Sequence, residues 1–190
     1  YHETRTGVVD EVPQVLDIAR RTQAGTGSLG SQRYYALIDG GAPDEHIILD
    51  IKQQREPASV AVMPESEQYW YRETFTHEGR RHADAFKAIA EHPDSWLGWL
   101  SIDGTLFSVR ERSPFKKDYP AHKLNADAYL EMATIWGEVL GREHARGSFC
   151  VQEPETAFVQ FIRDNVLPDK KAFLRLLRAI APHYARCVQQ

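Results

Sequence analysis

The sequence predicts an α+β protein with segregated elements: a small antiparallel sheet with one packed helix, followed by a helical part. Three observations carry this expectation. Short runs of aromatic and aliphatic residues, punctuated by glycine-rich turns, fill the first third of the chain. A second strand pair brackets Asp103-Gly104, and beyond Pro120 the apolar residues recur with helical spacing to the end. Strands grouped before helices, rather than alternating with them, are the α+β pattern. The division falls at residues 1–113 for the sheet lobe and 121–190 for the helical part.

The elements follow in order. Val15 to Ala19 is a short apolar-rich run, and Arg33 to Ile38 ends at the turn Asp39-Gly40-Gly41. His46 to Lys52 alternates, with Ile47, Leu49 and Ile51 on one face and Ile48, Asp50 and Lys52 on the other. These strands make an antiparallel meander. Glu56 to Met63 is a loop. Glu67 to Ala90 is helical, with Ala85, Phe86 and Ile89 on its buried face and an interruption expected at Gly79. Trp96 to Leu100 and Leu106 to Arg110 form a hairpin over Asp103-Gly104. Spaced three apart, Trp96 and Trp99 face opposite ways, one into the core and one under the terminal helices. Ala128 to His144 is a helix striped by Leu130, Ala133, Trp136, Gly137 and Leu140. Glu155 to Val166 and Lys171 to Val188 give two more, the last bent at Pro182.

Composition narrows the function. In 190 residues, 42% are apolar and 26% charged, the balance of a folded chain with one good core. A net charge of −4 and dispersed basic residues leave no footprint for nucleic acid or an acidic membrane surface. No apolar run approaches the roughly 20 residues that span a bilayer. The cysteines, Cys150 and Cys187, are far apart and fit buried thiols in a reducing cytoplasm better than a disulfide framework.

The chemistry-bearing motif is Gly25-Thr26-Gly27-Ser28-Leu29-Gly30. A dinucleotide fingerprint needs a helix after the glycines, yet Arg33 to Ile38 is strand-like. A Walker loop ends in Gly-Lys-Ser/Thr, and Gly30-Ser31 does not. A kinase-type loop sits at a hairpin tip, where glycines let backbone N–H groups approach phosphate oxygens and a lysine on the third strand adds charge. Lys52 occupies that strand, 22 residues beyond Gly30. A plain flexible turn is the competing explanation of the three glycines.

Several runs, in order over most of the chain, resemble the bacterial family called domain of unknown function 2252. They are Leu16 to Arg21, Gly25 to Gly30, Leu49 to Lys52, Gly79-Arg80-Arg81 through Trp96 to Trp99, Val109-Arg110-Glu111, and Arg142 to Arg146. The resemblance implies a distant relation to aminoglycoside phosphotransferase and protein kinase folds. It also implies a catalytic-loop segment, Gly-Asp-x-His…Asn, upstream of the glycines. The 24 residues before Gly25 hold none, and the resemblance therefore implies the C-terminal half of a family member. His144-Ala145-Arg146-Gly147 resembles a catalytic His-Arg-Asp with glycine in place of the aspartate.

These features imply a nucleotide- or phosphate-binding lobe that takes Mg·ATP or else no cofactor, with phosphoryl transfer to a small molecule as the reaction class if a catalytic half lies elsewhere in the native polypeptide. The glycine loop supplies donors and Lys52 neutralises phosphate charge. An acid on the following helix orients Lys52, Asp84 being preferred over Glu73 and Glu78. His144 and Arg146 form a phosphate-facing pair or, alternatively, a favourable C-terminal helix charge. The alternative function is a non-catalytic, kinase-derived interaction or regulatory module. No metal site is expected: His77 and His82 lie five apart, and no HExxH or Cys/His cluster exists. No GxSxG elbow marks a serine nucleophile. The apolar faces of the terminal helices fit closure of the core or a homo-oligomer interface equally.

Overall fold

The computed structural model describes residues 1–7, 12–22, 30–115, 120–148 and 157–188. The chain divides into two compact units, Tyr1–Leu124 and Asn125–Gln190.

The first unit is built on a five-stranded antiparallel sheet. Its strands are β1 (Val15–Arg20), β2 (Arg33–Ile38), β3 (Ile47–Gln53), β4 (Gly98–Ile102) and β5 (Thr105–Glu111), arranged β1-β2-β3-β5-β4. The first three form the expected meander. The β4-β5 hairpin turns on Asp103 and Gly104, both at positive φ (47° and 74°), as a two-residue Asp-Gly turn requires. β4 begins two residues later than its apolar run, because Asp94 Oδ1 accepts from Trp96 N and holds that segment in a turn.

Register divides the sheet into two faces. Ala36, Ile38, Leu49, Ile51, Phe107 and Val109 form the buried cluster on one face. The N-terminal segment covers part of it: Thr6 N donates to Leu97 O and Gly7 N to Ser95 O. Beneath Tyr1, His2 and Arg5 lies an apolar cavity of about 400 Å³, floored by Leu49, Ile51 and Val109.

The connection from β3 to β4 holds two helices, α1 (Glu65–Thr74) and α2 (Glu78–Ile89), of which α2 lies on the opposite face. The break between them falls at Phe75 to His77 rather than at Gly79. His77 is extended (φ −142°), and its Nδ1 accepts from Arg80 N to cap α2. Gly79 lies inside the first turn of α2 and is there for proximity: a Cβ on it would sit 2.2 Å from Phe107 O. α2 packs over β5 and β4. Trp99 meets Arg80 and Lys87 of α2, whereas Trp96 packs against the core cluster under Arg5. The helix over Trp99 is therefore α2. The stretch read as a loop, Glu56 to Met63, contains a 3-10 turn (Ala58–Val62) with Val60 fully buried.

The second unit holds α3 (Ala126–Ser148), α4 (Ala157–Phe161) continuing into a π-turn (Ile162–Val166), and α5 (Lys170–Val188). Asn125 Oδ1 caps α3 through Ala128 N, and Asp169 Oδ1 caps α5 through Ala172 N. Pro182 lies within α5. Leu130, Trp136 and Leu140 of the α3 stripe are exposed, as are Leu177, Ile180 and Tyr184. No helix among the described residues is long and apolar enough to cross a membrane.

Candidate functional site

β1 and β2 pair directly on either side of the glycine segment. Arg20 lies opposite Tyr34, and Arg21 N donates to Arg33 O. The segment is therefore the connection of an antiparallel hairpin, and a strand follows it. Gly25, Thr26, Gly27, Ser28 and Leu29 lie outside the described residues. Gly30 sits at φ 71°, in the left-handed region that glycine enters without a Cβ clash. Its carbonyl accepts from Arg55 Nη2 at 2.7 Å, and Gln53 Oε1 accepts from Gln32 N at 2.9 Å. These bonds fasten the returning chain to the end of β3.

Lys52 lies at that end, directly opposite Arg33 on β2 and Ser108 on β5. It forms no ion pair among the described residues. Asp84, expected to orient it, pairs instead with Arg80 one turn earlier (3.2 Å) on the exposed side of α2. It follows the buried Ala83, so it is rotated about 100° away from the sheet-facing side. Of the two alternatives, Glu73 is exposed on α1. Glu78 is buried and accepts from the Tyr71 hydroxyl (2.9 Å) and from Arg81 Nε (2.6 Å). Burial, reinforced by the Glu78 hydrogen bond, pushes the Tyr71 phenol well above its ordinary range.

The residue nearest in effect to Lys52 is His82, whose ring lies 4.9 Å from that of Phe86. Its pKa is held down to about 4, first by burial and then by the charges of Arg110, Arg81 and Lys52. Nδ1 is buried without a hydrogen-bond partner among the described residues. Sequence reasoning considered His82 only as a metal ligand. The signal for its true place was its i, i+4 relation to Phe86 on one helix face.

Beside Lys52 on the same face, the sheet half that α2 leaves uncovered holds a cavity of about 280 Å³. Its walls include Arg33, Tyr35, Asp50, Arg110 and Arg112. Arg33 grips Asp50 with two parallel bonds, Nε to Oδ1 at 2.6 Å and Nη2 to Oδ2, and both side chains are nearly buried. That bonding, more than the opposing cost of burial, raises the Arg33 pKa.

His144 and Arg146 belong to the second unit. His144 is exposed and meets Phe158 edge-on at 6.2 Å, and Arg146 is partly buried. Among the described residues no group of three His, Cys, Asp or Glu side chains could hold a metal ion.

Compared with known proteins, the chain matches over residues 1–190 the family model described as "Uncharacterized protein conserved in bacteria (DUF2252)". No curated protein and no solved structure matches it.

Proposed function

We propose, from the premise that this chain belongs to the bacterial family of domain of unknown function 2252, that its sheet lobe binds the phosphates of a nucleotide or related small molecule. One observation carries the proposal. Lys52, which forms no ion pair among the described residues, stands on the third strand directly across from Arg33, at the end of the sheet where the glycine segment re-enters. Glycines at a hairpin tip let backbone N–H groups approach phosphate oxygens, and a lysine beside them neutralises phosphate charge. The second helix after the third strand, α2, packs on the same sheet face, an arrangement that fits a kinase-like small lobe. Asp50 is committed to Arg33, so the described residues do not fit a resident Mg²⁺. A metal bound with the nucleotide would be held by its phosphates.

A specific observation favours binding without catalysis. Both acids that stood nearest to orienting Lys52 are spent elsewhere, Asp84 on Arg80 and Glu78 on Tyr71 and Arg81. The lobe then serves as a kinase-derived regulatory or interaction module gated by a nucleotide.

The test is thermal unfolding of the full chain with and without Mg·ATP. At 100 times Kd the ligand adds about 2.7 kcal/mol, a rise in Tm of roughly 5–10 °C for a chain of this size. Lys52→Ala should abolish the rise. A wild-type chain whose Tm ignores Mg·ATP would remove the proposal. Release of ADP from the bound complex separates phosphotransferase from module.

A further inference from the structure

The arginine-lined cavity two residues along β3 from Lys52 is more than a by-product of sheet curvature. Four guanidinium groups converge on this part of the face from distant stretches of sequence: Arg21, Arg33, Arg110 and Arg112. Arg33 alone has a carboxylate, that of Asp50. Arg112 lies over the Tyr35 ring, its Cζ 5.7 Å from the centroid, and Arg21 lies over the same ring at 5.1 Å. Arg110 stacks on Phe86 at 5.6 Å. None of these three has a carboxylate partner among the described residues, and Arg21 Nε is buried with no hydrogen-bond partner among them.

The other acid in the wall does not restore the balance. Three guanidinium groups, those of Arg33, Arg110 and Arg112, stand in the wall against the two carboxylates of Asp50 and Glu111, and burial, then repulsion from Asp94, raises the Glu111 pKa. Asp94 itself is occupied with the backbone N–H groups of Trp96 and Glu111. The cavity is thus cationic, with arginines oriented by aromatic rings. A guanidinium stacked on a ring keeps its N–H edge free, and that edge is a fork matched to the two oxygens of a carboxylate or phosphate.

We propose that this cavity is a second anion site, which takes a small molecule bearing a carboxylate or phosphate group, held by Arg110 and Arg112 against Tyr35. Its volume, about 280 Å³, falls just below the usual range for ligand pockets and excludes a whole nucleotide. The occupant is a compact oxyanion-bearing metabolite. The site stands independently of the glycine segment and Lys52, so either can fail alone.

Isothermal titration calorimetry on the full chain tests it, with malonate and inorganic phosphate as probes at constant ionic strength. Saturable one-to-one binding of at least one probe is expected at concentrations up to about 10 mM. Arg112→Gln and Arg110→Gln should each weaken it about tenfold or more. Arg112→Lys, which keeps the charge and loses the fork, should still weaken it severalfold. Lys52→Ala should leave it within about twofold, and Arg112→Gln should leave the Mg·ATP shift intact. The tighter of the two probes tells a carboxylate ligand from a phosphorylated one. If neither probe saturates, the proposal falls. It falls too if the arginine variants bind as wild type, or if phosphate affinity follows Lys52 rather than Arg112. Should Arg112→Gln lose its circular dichroism, the Arg112→Lys and Arg110→Gln results decide the matter.

Discussion

Gly79→Ala should destabilise the protein even though alanine is the better helix former. The new Cβ would stand 2.2 Å from Phe107 O and 2.6 Å from Phe107 C. Ordinary contact needs about 3.4 Å, so α2 and β5 must part by about 1 Å. Phe107 cannot yield, because it is 1% exposed and its strand is hydrogen-bonded on both sides by β3 and β4. α2 must move, carrying Ala83 out of a fully buried position. Overpacking of this kind costs about 1–3 kcal/mol. The opposing helix-propensity gain is at most about 1 kcal/mol, and less in a first turn. A net loss of about 1–2 kcal/mol follows, visible as a lower urea midpoint by circular dichroism with m unchanged. Gly137 is the internal control: in mid-α3 an added Cβ meets nothing within 4 Å. Gly137→Ala should therefore gain about 0.5–1 kcal/mol. If Gly79→Ala proves as stable as wild type, the close approach of α2 to β5 is not what selects glycine there.

Two further expectations concern the charged face. His82 has a depressed pKa in the folded chain, so the ring is neutral in both states above about pH 6.5. As pH falls from there toward 4, the unfolded chain gains a proton that the folded chain refuses, and stability declines across that window. The full shift corresponds to roughly 3 kcal/mol, reduced by solvent screening of the partly exposed ring to about 1–2 kcal/mol. Urea unfolding of His82→Gln should show a correspondingly flatter acid limb, and parallel limbs would count against it. Asp50→Asn should cost about 3 kcal/mol by stranding the nearly buried Arg33 guanidinium. Arg33→Met/Asp50→Leu should recover most of that loss in the same assay, because removing both charges leaves none uncompensated.

Much of the first unit was legible because its signals are local. Asp103-Gly104 names its own turn through two consecutive positive φ angles. The alternation of Ile47, Leu49 and Ile51 names the core face of β3, since a period of two survives whatever the strand pairs with. Gly79 was misread for the opposite reason. Taken alone, glycine in a helical pattern looks like a breaker, and the carbonyl that demands it lies 28 residues away on β5. The cationic cavity was invisible on the same grounds: Arg33, Arg110 and Arg112 seem dispersed until register lays β2 and β5 on either side of β3. Asp84 shows how small a phase error decides a role. It stands one position past a buried residue, and one position is enough to turn its carboxylate from the sheet to solvent and Arg80.

The fastening of the first seven residues has a consequence for the order of folding. Tyr1 and Thr4 bond to Trp96 and Trp99 across 95 positions of sequence. Contacts that close so long a loop are entropically late: the closure term alone, about 4 kcal/mol for a loop of that length, is incurred before any contact repays it. The β4-β5 hairpin needs only a two-residue turn and can form at once. The sheet is thus finished from its middle outward, and residues 1–7 dock on an edge already in place. In native-state hydrogen exchange the Thr6 and Gly7 amides should accordingly open at lower free energy than those of β3 and β5, which stay closed until the sheet comes apart as a whole.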